Sequence, residues 1–171
     1  TWAEQTGPFN NANSGMANIY FFDENEGICF GSPGTGLFFN DSIRVYRTQD
    51  GGQNWGRVSP SLMPTPLNGE GVWIYSGNST FEAIGDTLWF GTRANRVFRT
   101  TDKGQTWEAF DSSIEGNSFA PGISAVAFQN SMQGLAVSLR TRRMARTIDG
   151  GETWNEITVP DIIDFGGIEH I

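Results

Sequence analysis

One cysteine and one histidine stand among 171 residues. A lone Cys29 excludes an intrachain disulfide, and the chain lacks the clustered spacing of a zinc site. His170 lies next to the last residue, so no histidine-based nucleophilic triad can be assembled within this stretch. Basic residues are few, 11 against 19 acidic, for a net charge of −8. Duplex nucleic acid is therefore not an expected partner, because its binding needs a basic surface that displaces counterions. No apolar run approaches the roughly 20 residues of a membrane span, so membrane insertion is not expected. There is no leader-type segment and no initiator Met, and any targeting segment is expected to lie outside this sequence. Helical periodicity is missing throughout.

Glycine and aromatic residues are plentiful, with 22 Gly, 6 Trp and 13 Phe. The glycine share is nearly twice the usual figure of about 7%. Disorder would need few aromatics and dense charge, whereas only 18% of these residues are charged. The composition is that of a turn-rich, all-β protein with a real core, and the length suits one ordinary domain. Cys29 sits in the apolar run "GICFGS" and is expected to be buried and inert.

One phrase occurs three times: "RTQDGGQNWGRV" at Arg47–Val58, "RTTDKGQTWEAF" at Arg99–Phe110 and "RTIDGGETWNEI" at Arg146–Ile157. Its aspartates, Asp50, Asp102 and Asp149, are 52 and then 47 residues apart, close to the period of propeller blades. Each unit divides into four short strands joined by turn residues. The first unit gives "ANIYFFD", "GICFGS", "IRVYRTQD" and "QNWGRVS". The second gives "STFEAIG", "TLWFGTR", "RVFRTTD" and "QTWEAFD", and the third "ISAVAFQN", "LAVSLR", "RMARTID" and "ETWNEITV". Such strands pair as antiparallel hairpins. The predicted organisation is a single segment with blades over 16–59, 72–111 and 122–159. Residues 1–10 would be the outer strand of a preceding blade, and 161–171 the inner strand of a following one.

The phrase falls between the third and fourth strands, where a turn is needed. Its Asp can accept hydrogen bonds from N–H groups of its own turn, the Thr hydroxyl can add another, and glycine supplies a backbone conformation other residues resist. Trp is expected to anchor the fourth strand, burying roughly 150–250 Å². That is on the order of 4–6 kcal/mol as an upper bound, against about 0.5–1.5 kcal/mol for one turn hydrogen bond. The tryptophan should dominate stability while Asp and Gly set the turn.

These residues closely resemble the Asp-box, or BNR repeat, of sialidase-like β-propellers. Thr48, Asp50, Gly52 and Trp55 match the first box, with Asn54 where Thr is usual. Thr100, Asp102, Gly104, Thr106 and Trp107 match the second, and Thr147, Asp149, Gly151, Thr153 and Trp154 the third. The resemblance implies about three complete four-stranded blades plus partial blades at both ends. It also implies boxes that are structural, since in that family they lie on the rim, away from the central site. Three blades cannot close a ring, so the expected partner is the remainder of a propeller or a second copy of the chain. Trp2 is expected to be buried and Asp161–Ile168 to pair with another strand. A looser similarity to propellers of secreted Bacteroidetes-type proteins rests on "PTPLNGEG", "DTLWFGT", "RVFRTTDKGQTW" and "GLAV". It suggests an extracellular, cell-surface or periplasmic location.

The same family includes sialidases, propeller xyloglucanases and assembly factors for membrane complexes, so catalysis has to be weighed. No "RIP" motif occurs, and Arg140, Arg142 and Arg143 crowd one turn instead of converging from several blades. They are candidates for a local anion contact. Glycoside hydrolysis needs two carboxyl groups facing one bond. Asp23, Glu24 and Glu26 sit in a strand turn, which leaves Asp41 and Glu70, in longer loops, as the better candidates. Phe38, Phe39, Trp73 and Tyr75 lie in loops that exceed the needs of a blade, and could stack on sugar rings or pack on a partner. The sequence favours a non-catalytic interaction or carbohydrate-binding scaffold with no cofactor and no metal, a glycan or protein being the ligand. Part of a propeller glycoside hydrolase is the alternative, and an assembly factor for a membrane complex a further one.

Overall fold

The computed structural model describes residues 14–33, 43–72, 80–114, 122–139 and 141–158. Within them twelve strands form three four-stranded antiparallel sheets, each a meander in sequence order. Sheet 1 comprises β1 (Ser14–Phe21), β2 (Gly27–Pro33), β3 (Arg44–Thr48) and β4 (Gly56–Arg57). Sheet 2 comprises β5 (Phe81–Ile84), β6 (Thr87–Gly91), β7 (Arg96–Thr100) and β8 (Glu108–Asp111). Sheet 3 comprises β9 (Ala125–Phe128), β10 (Gly134–Ser138), β11 (Arg143–Thr147) and β12 (Asn155–Ile157). The repeated phrase spans the turn from the third strand to the fourth in every sheet. Its tryptophan sits one residue before the fourth strand. β4 is short because Pro60, with no N–H to donate, turns the chain into a 3₁₀ turn at Pro60–Leu62.

The sheets stack face to face. Ile28, Phe30 and Val45 of sheet 1 pack on Leu88, Phe90 and Phe98 of sheet 2, with Phe30 and Phe90 stacked at 4.6 Å and 16°. The other face of sheet 2, through Trp89 and Val97, packs on Val126, Phe128, Ala136 and Ala145 of sheet 3. Trp89 and Phe128 stack at 3.9 Å and 13°. Sheet 2 is thus covered on both sides, which is why "TLWFG" reads as a continuous apolar run instead of alternating. Cys29 is fully buried, and burial pushes its thiol up to about 12, where thiolate chemistry is suppressed.

The tryptophans of the second and third turns pack on the sheet before their own. Trp107 joins the core between sheets 1 and 2, and Trp154 the core between sheets 2 and 3. Polar bonds cross at the same places. Arg47 Nε donates to the Lys103 carbonyl at 2.9 Å. Arg99 Nη1 and Trp89 Nε1 donate to the Gly150 carbonyl at 3.1 and 2.8 Å.

Lys103 occupies a position filled by Gly51 and Gly150 in the other two turns. It adopts φ 56°, a left-handed conformation that costs an L-residue roughly 1–2 kcal/mol. Its ammonium reaches back to sheet 1, 2.6 Å from Glu26 and 2.9 Å from Asp23. The strained turn therefore gains a tie to the neighbouring sheet that glycine could not provide. These two carboxylates hold the Lys103 ammonium above its usual range.

Candidate functional site

The three repeated turns share one hydrogen-bond plan. In the second, Thr100 Oγ1 donates to Asp102 Oδ1 at 2.8 Å and accepts from Gly104 N at 2.9 Å. Asp102 also accepts from Gln105 N at 2.8 Å, Thr106 N at 2.9 Å and Thr106 Oγ1 at 2.6 Å. Trp107 Nε1 closes the turn on the Gly104 carbonyl at 3.1 Å. The third repeats this with Thr147, Asp149, Gly151, Thr153 and Trp154, at 2.5–2.9 Å. In the first, Asn54 takes the place of Thr, and its amide N–H and side-chain Nδ2 both donate to Asp50, at 2.8 and 2.7 Å. Gly52, Gly104 and Gly151 have φ of 88°, 80° and 92°, which only glycine adopts without strain.

These bonds depress the carboxylates. The Thr153 hydroxyl and amide pull Asp149 down to about 2. Asn54 lowers Asp50 through its amide and side chain. Partial burial works against Asp102, but the bonds from Thr106 and Thr100 prevail and lower it too. Asp23 is drawn to about 2 by the Glu26 amide first, then by Lys103. All four are held ionised by donors within their own surroundings, the opposite of the raised pKa a general acid needs.

Glu70 is buried and fully engaged. Its Oε1 accepts from Thr92 Oγ1 and Arg96 Nε, both at 2.9 Å. Oε2 accepts from Leu67 N at 2.9 Å and pairs closely with Arg96 Nη2. The same Arg96 nitrogen reaches the Thr65 carbonyl at 2.9 Å. This carboxylate fastens the loop after β4 onto sheet 2 through a fork-shaped guanidinium contact, and its neighbours leave it no open face. Arg142 lies exposed at φ 55° in the turn between β10 and β11. Arg143 pairs through Nε with Glu156 at 2.8 Å. Both border a shallow depression completed by Ile157 and Thr158. Asp41, Phe38, Phe39, Trp73, Tyr75 and Arg140 lie outside the described residues, as do Trp2 and Asp161–Ile168.

Two residues not singled out from the sequence line an open cleft of about 190 Å³ beside β9 and β10. Glu82 of β5 and Arg146 of β11 line it with Ala127, Gln129, Gln133 and Leu135. The arginine opening each repeated phrase was the available signal for Arg146. Glu82 carried none, being one acidic residue in an acidic chain. Among the described residues no three His, Cys, Asp or Glu side chains are placed to hold a metal ion. Among them, too, no helix is long and apolar enough to cross a membrane.

No protein-family model matches the sequence, and no curated protein does. Solved structures do match. YCF48 bound to a D1 peptide is similar with a TM-score of 0.59 and 17% identity, over 84% of this chain and 40% of that one. A GH74 enzyme of Niastella koreensis gives 0.58 and 19%, over 84% of this chain and 22% of its own. The GH74 xyloglucanase of Xanthomonas campestris gives 0.54 and 16%, over 82% and 23%. The chain thus spans well under half the length of each of these proteins. At such identities the likeness is one of fold: the three four-stranded antiparallel sheets match blades of β-propeller proteins over part of their length.

Proposed function

We propose that these blades belong to a non-catalytic Asp-box propeller of a secreted or cell-surface protein, whose task is to dock a protein or glycan ligand. The observation that carries this reading is the fate of the carboxylates. Asp50, Asp102 and Asp149 are spent on their turns. Asp23 and Glu26 hold Lys103, and Glu70 holds Arg96. Glu108 and Glu152 flank Arg99, and Glu156 pairs with Arg143. A glycosidase needs two carboxyl groups free to face one bond across a space of about 5–10 Å, whereas each of these is taken up by its own turn or by a cation. A peptide is the favoured ligand class, since YCF48, of similar fold, is known in a form bound to a peptide.

Incubation of the chain with xyloglucan and with a fluorogenic sialoside tests the reading. No release of reducing ends or fluorophore above the buffer blank is expected, while peptide and glycan arrays should yield a saturable ligand. Turnover that Glu70→Gln abolishes would refute the non-catalytic assignment.

A further inference from the structure

Two junctions, of sheet 1 with sheet 2 and of sheet 2 with sheet 3, have described strands on both sides and are built from the same parts. In each, the arginine that opens the repeated phrase clamps its sheet to the turn of the next. Arg47 Nε takes the Lys103 carbonyl, and Arg99 Nη1 takes the Gly150 carbonyl. Two further positions face the arginine at the rim. One is the fourth-strand residue paired in register with it, Gly56 for Arg47 and Glu108 for Arg99. The other comes from the following turn, Gln105 at the first junction and Glu152 at the second. At the second junction both are carboxylates, and they close on Arg99 Nη2 at 2.9 and 3.1 Å. At the first junction neither is.

The consequence is a groove of about 610 Å³ at the first junction, walled by Arg47, Gly56, Arg57 and Val58 of sheet 1, by Leu62, and by Gln105 of the facing turn. A Cβ on Gly56 would meet nothing within 4 Å, so the space beside Arg47 is open. Asp50 is the one carboxylate lining the groove, and its oxygens are taken by Thr48 and Asn54. The arginines are less fully engaged. Arg47 Nη2 meets Glu26 at 3.3 Å, while Nη1 has no bonding partner among the described residues. Arg57 is exposed and has none among them either. The groove thus presents positive charge where the sister junction places two carboxylates. One wall is also a strand edge, since β4 is the last strand of its sheet. Val58 N donates inward to the Val45 carbonyl at 2.9 Å. By alternation the N–H and C=O of Arg57 point outward, where no described strand lies.

We infer that this groove docks an extended acidic peptide, which lies along β4 as a fifth strand and presents a Glu or Asp side chain to Arg47. Strand addition supplies backbone hydrogen bonds, and cross-strand neighbours share a face, so the peptide residue opposite Gly56 lies on the side of Arg47. Gly56 has no side chain to stand between them. The peptide carboxylate takes the place that Glu108 fills beside Arg99, Arg57 adds positive charge along the edge, and Leu62, 46% exposed, adds an apolar contact. This site rests on the docking function proposed above and gives it a place and a charge preference.

A positional-scanning library of short synthetic peptides, blocked at both ends, tests this against the immobilised full chain. Pools fixed as Glu or Asp should be retained roughly tenfold or more above pools fixed as Gln or Asn, the weight of a charged hydrogen bond. Gly56→Glu supplies the missing carboxylate from within, and should abolish retention while the circular dichroism stays that of the parent. Gln105→Glu adds the acid from the facing turn and makes the same test should the first variant fail to fold. Retention that survives both substitutions, or acid pools held no better than amide pools, would overturn the groove while leaving a docking function in place. Retention of uronate-bearing oligosaccharides and of no peptide pool would overturn the peptide as occupant, and retention of nothing would overturn the site altogether. The xyloglucan and sialoside assays report separately on the non-catalytic reading, so the two fail independently.

Discussion

Replacing Trp107 by alanine is expected to cost about 3–5 kcal/mol, the range for removing a large buried aromatic. Asp102→Ala should cost only about 1–2 kcal/mol. Trp107 is 6% exposed and sits in the core joining sheets 1 and 2. Its ring lies 5.1 Å from Phe90, and its backbone N–H donates to the Leu62 carbonyl at 3.0 Å. Truncation opens a cavity at a junction between sheets, where collapse would have to move a whole sheet. Of the residues Asp102 binds, Gln105 and Thr106 are exposed and only Thr100 is buried, so water can take over much of its role. Denaturation midpoints of the two variants decide the matter. Equal losses, or a larger one for Asp102→Ala, would contradict this division of labour.

The second large effect is expected at the enclosed ion pair. Arg96→Met leaves the Glu70 carboxylate buried beside Thr92 without its cation, and breaking a buried pair from one side costs about 3–5 kcal/mol. Glu70 is enclosed and Arg96 largely so, with side-chain exposures of 0% and 17%. Adding Glu70→Leu should recover most of the loss, because an apolar pair of similar size carries no unpaired charge. Thermal melts of the single and double variants test this. A single variant as stable as the parent, or a double variant worse than the single, would show that the pair does not fasten the loop.

What the sequence disclosed, and what it hid, divides by distance along the chain. The three turns were legible because Thr, Asp, Gly and Trp act within a few residues of one another. Cys29 was legible from the apolar run around it. The role of Glu70 was not, since its partners Thr92 and Arg96 lie 22 and 26 residues further on and nothing local marks them. The clamps were hidden for a different reason. Arg47 and Arg99 open the repeated phrase in plain view, but their acceptors are backbone carbonyls 56 and 51 residues away, and a carbonyl leaves no trace in a sequence. For the same reason tryptophan could be recognised as an anchor without showing that it anchors to the preceding sheet.

The central claim is that the thrice-repeated phrase builds sheets and does no chemistry, its aspartates being clasps for their own turns. Asp149 provides the most direct test. Its carboxyl sits at about 2 in the folded chain against an ordinary 3.8. A depressed value means stability that is fully present above the unfolded pKa and is lost as pH falls through the folded one. An NMR titration that follows the carboxyl carbons of Asp50, Asp102 and Asp149 should find Asp149 titrating near 2 and the other two below the usual carboxylate range. The Thr153 amide should shift with the same midpoint as Asp149. Midpoints at or above 3.8 for these residues, or a Thr153 amide indifferent to the titration, would contradict the claim that the aspartates are held as structural clasps.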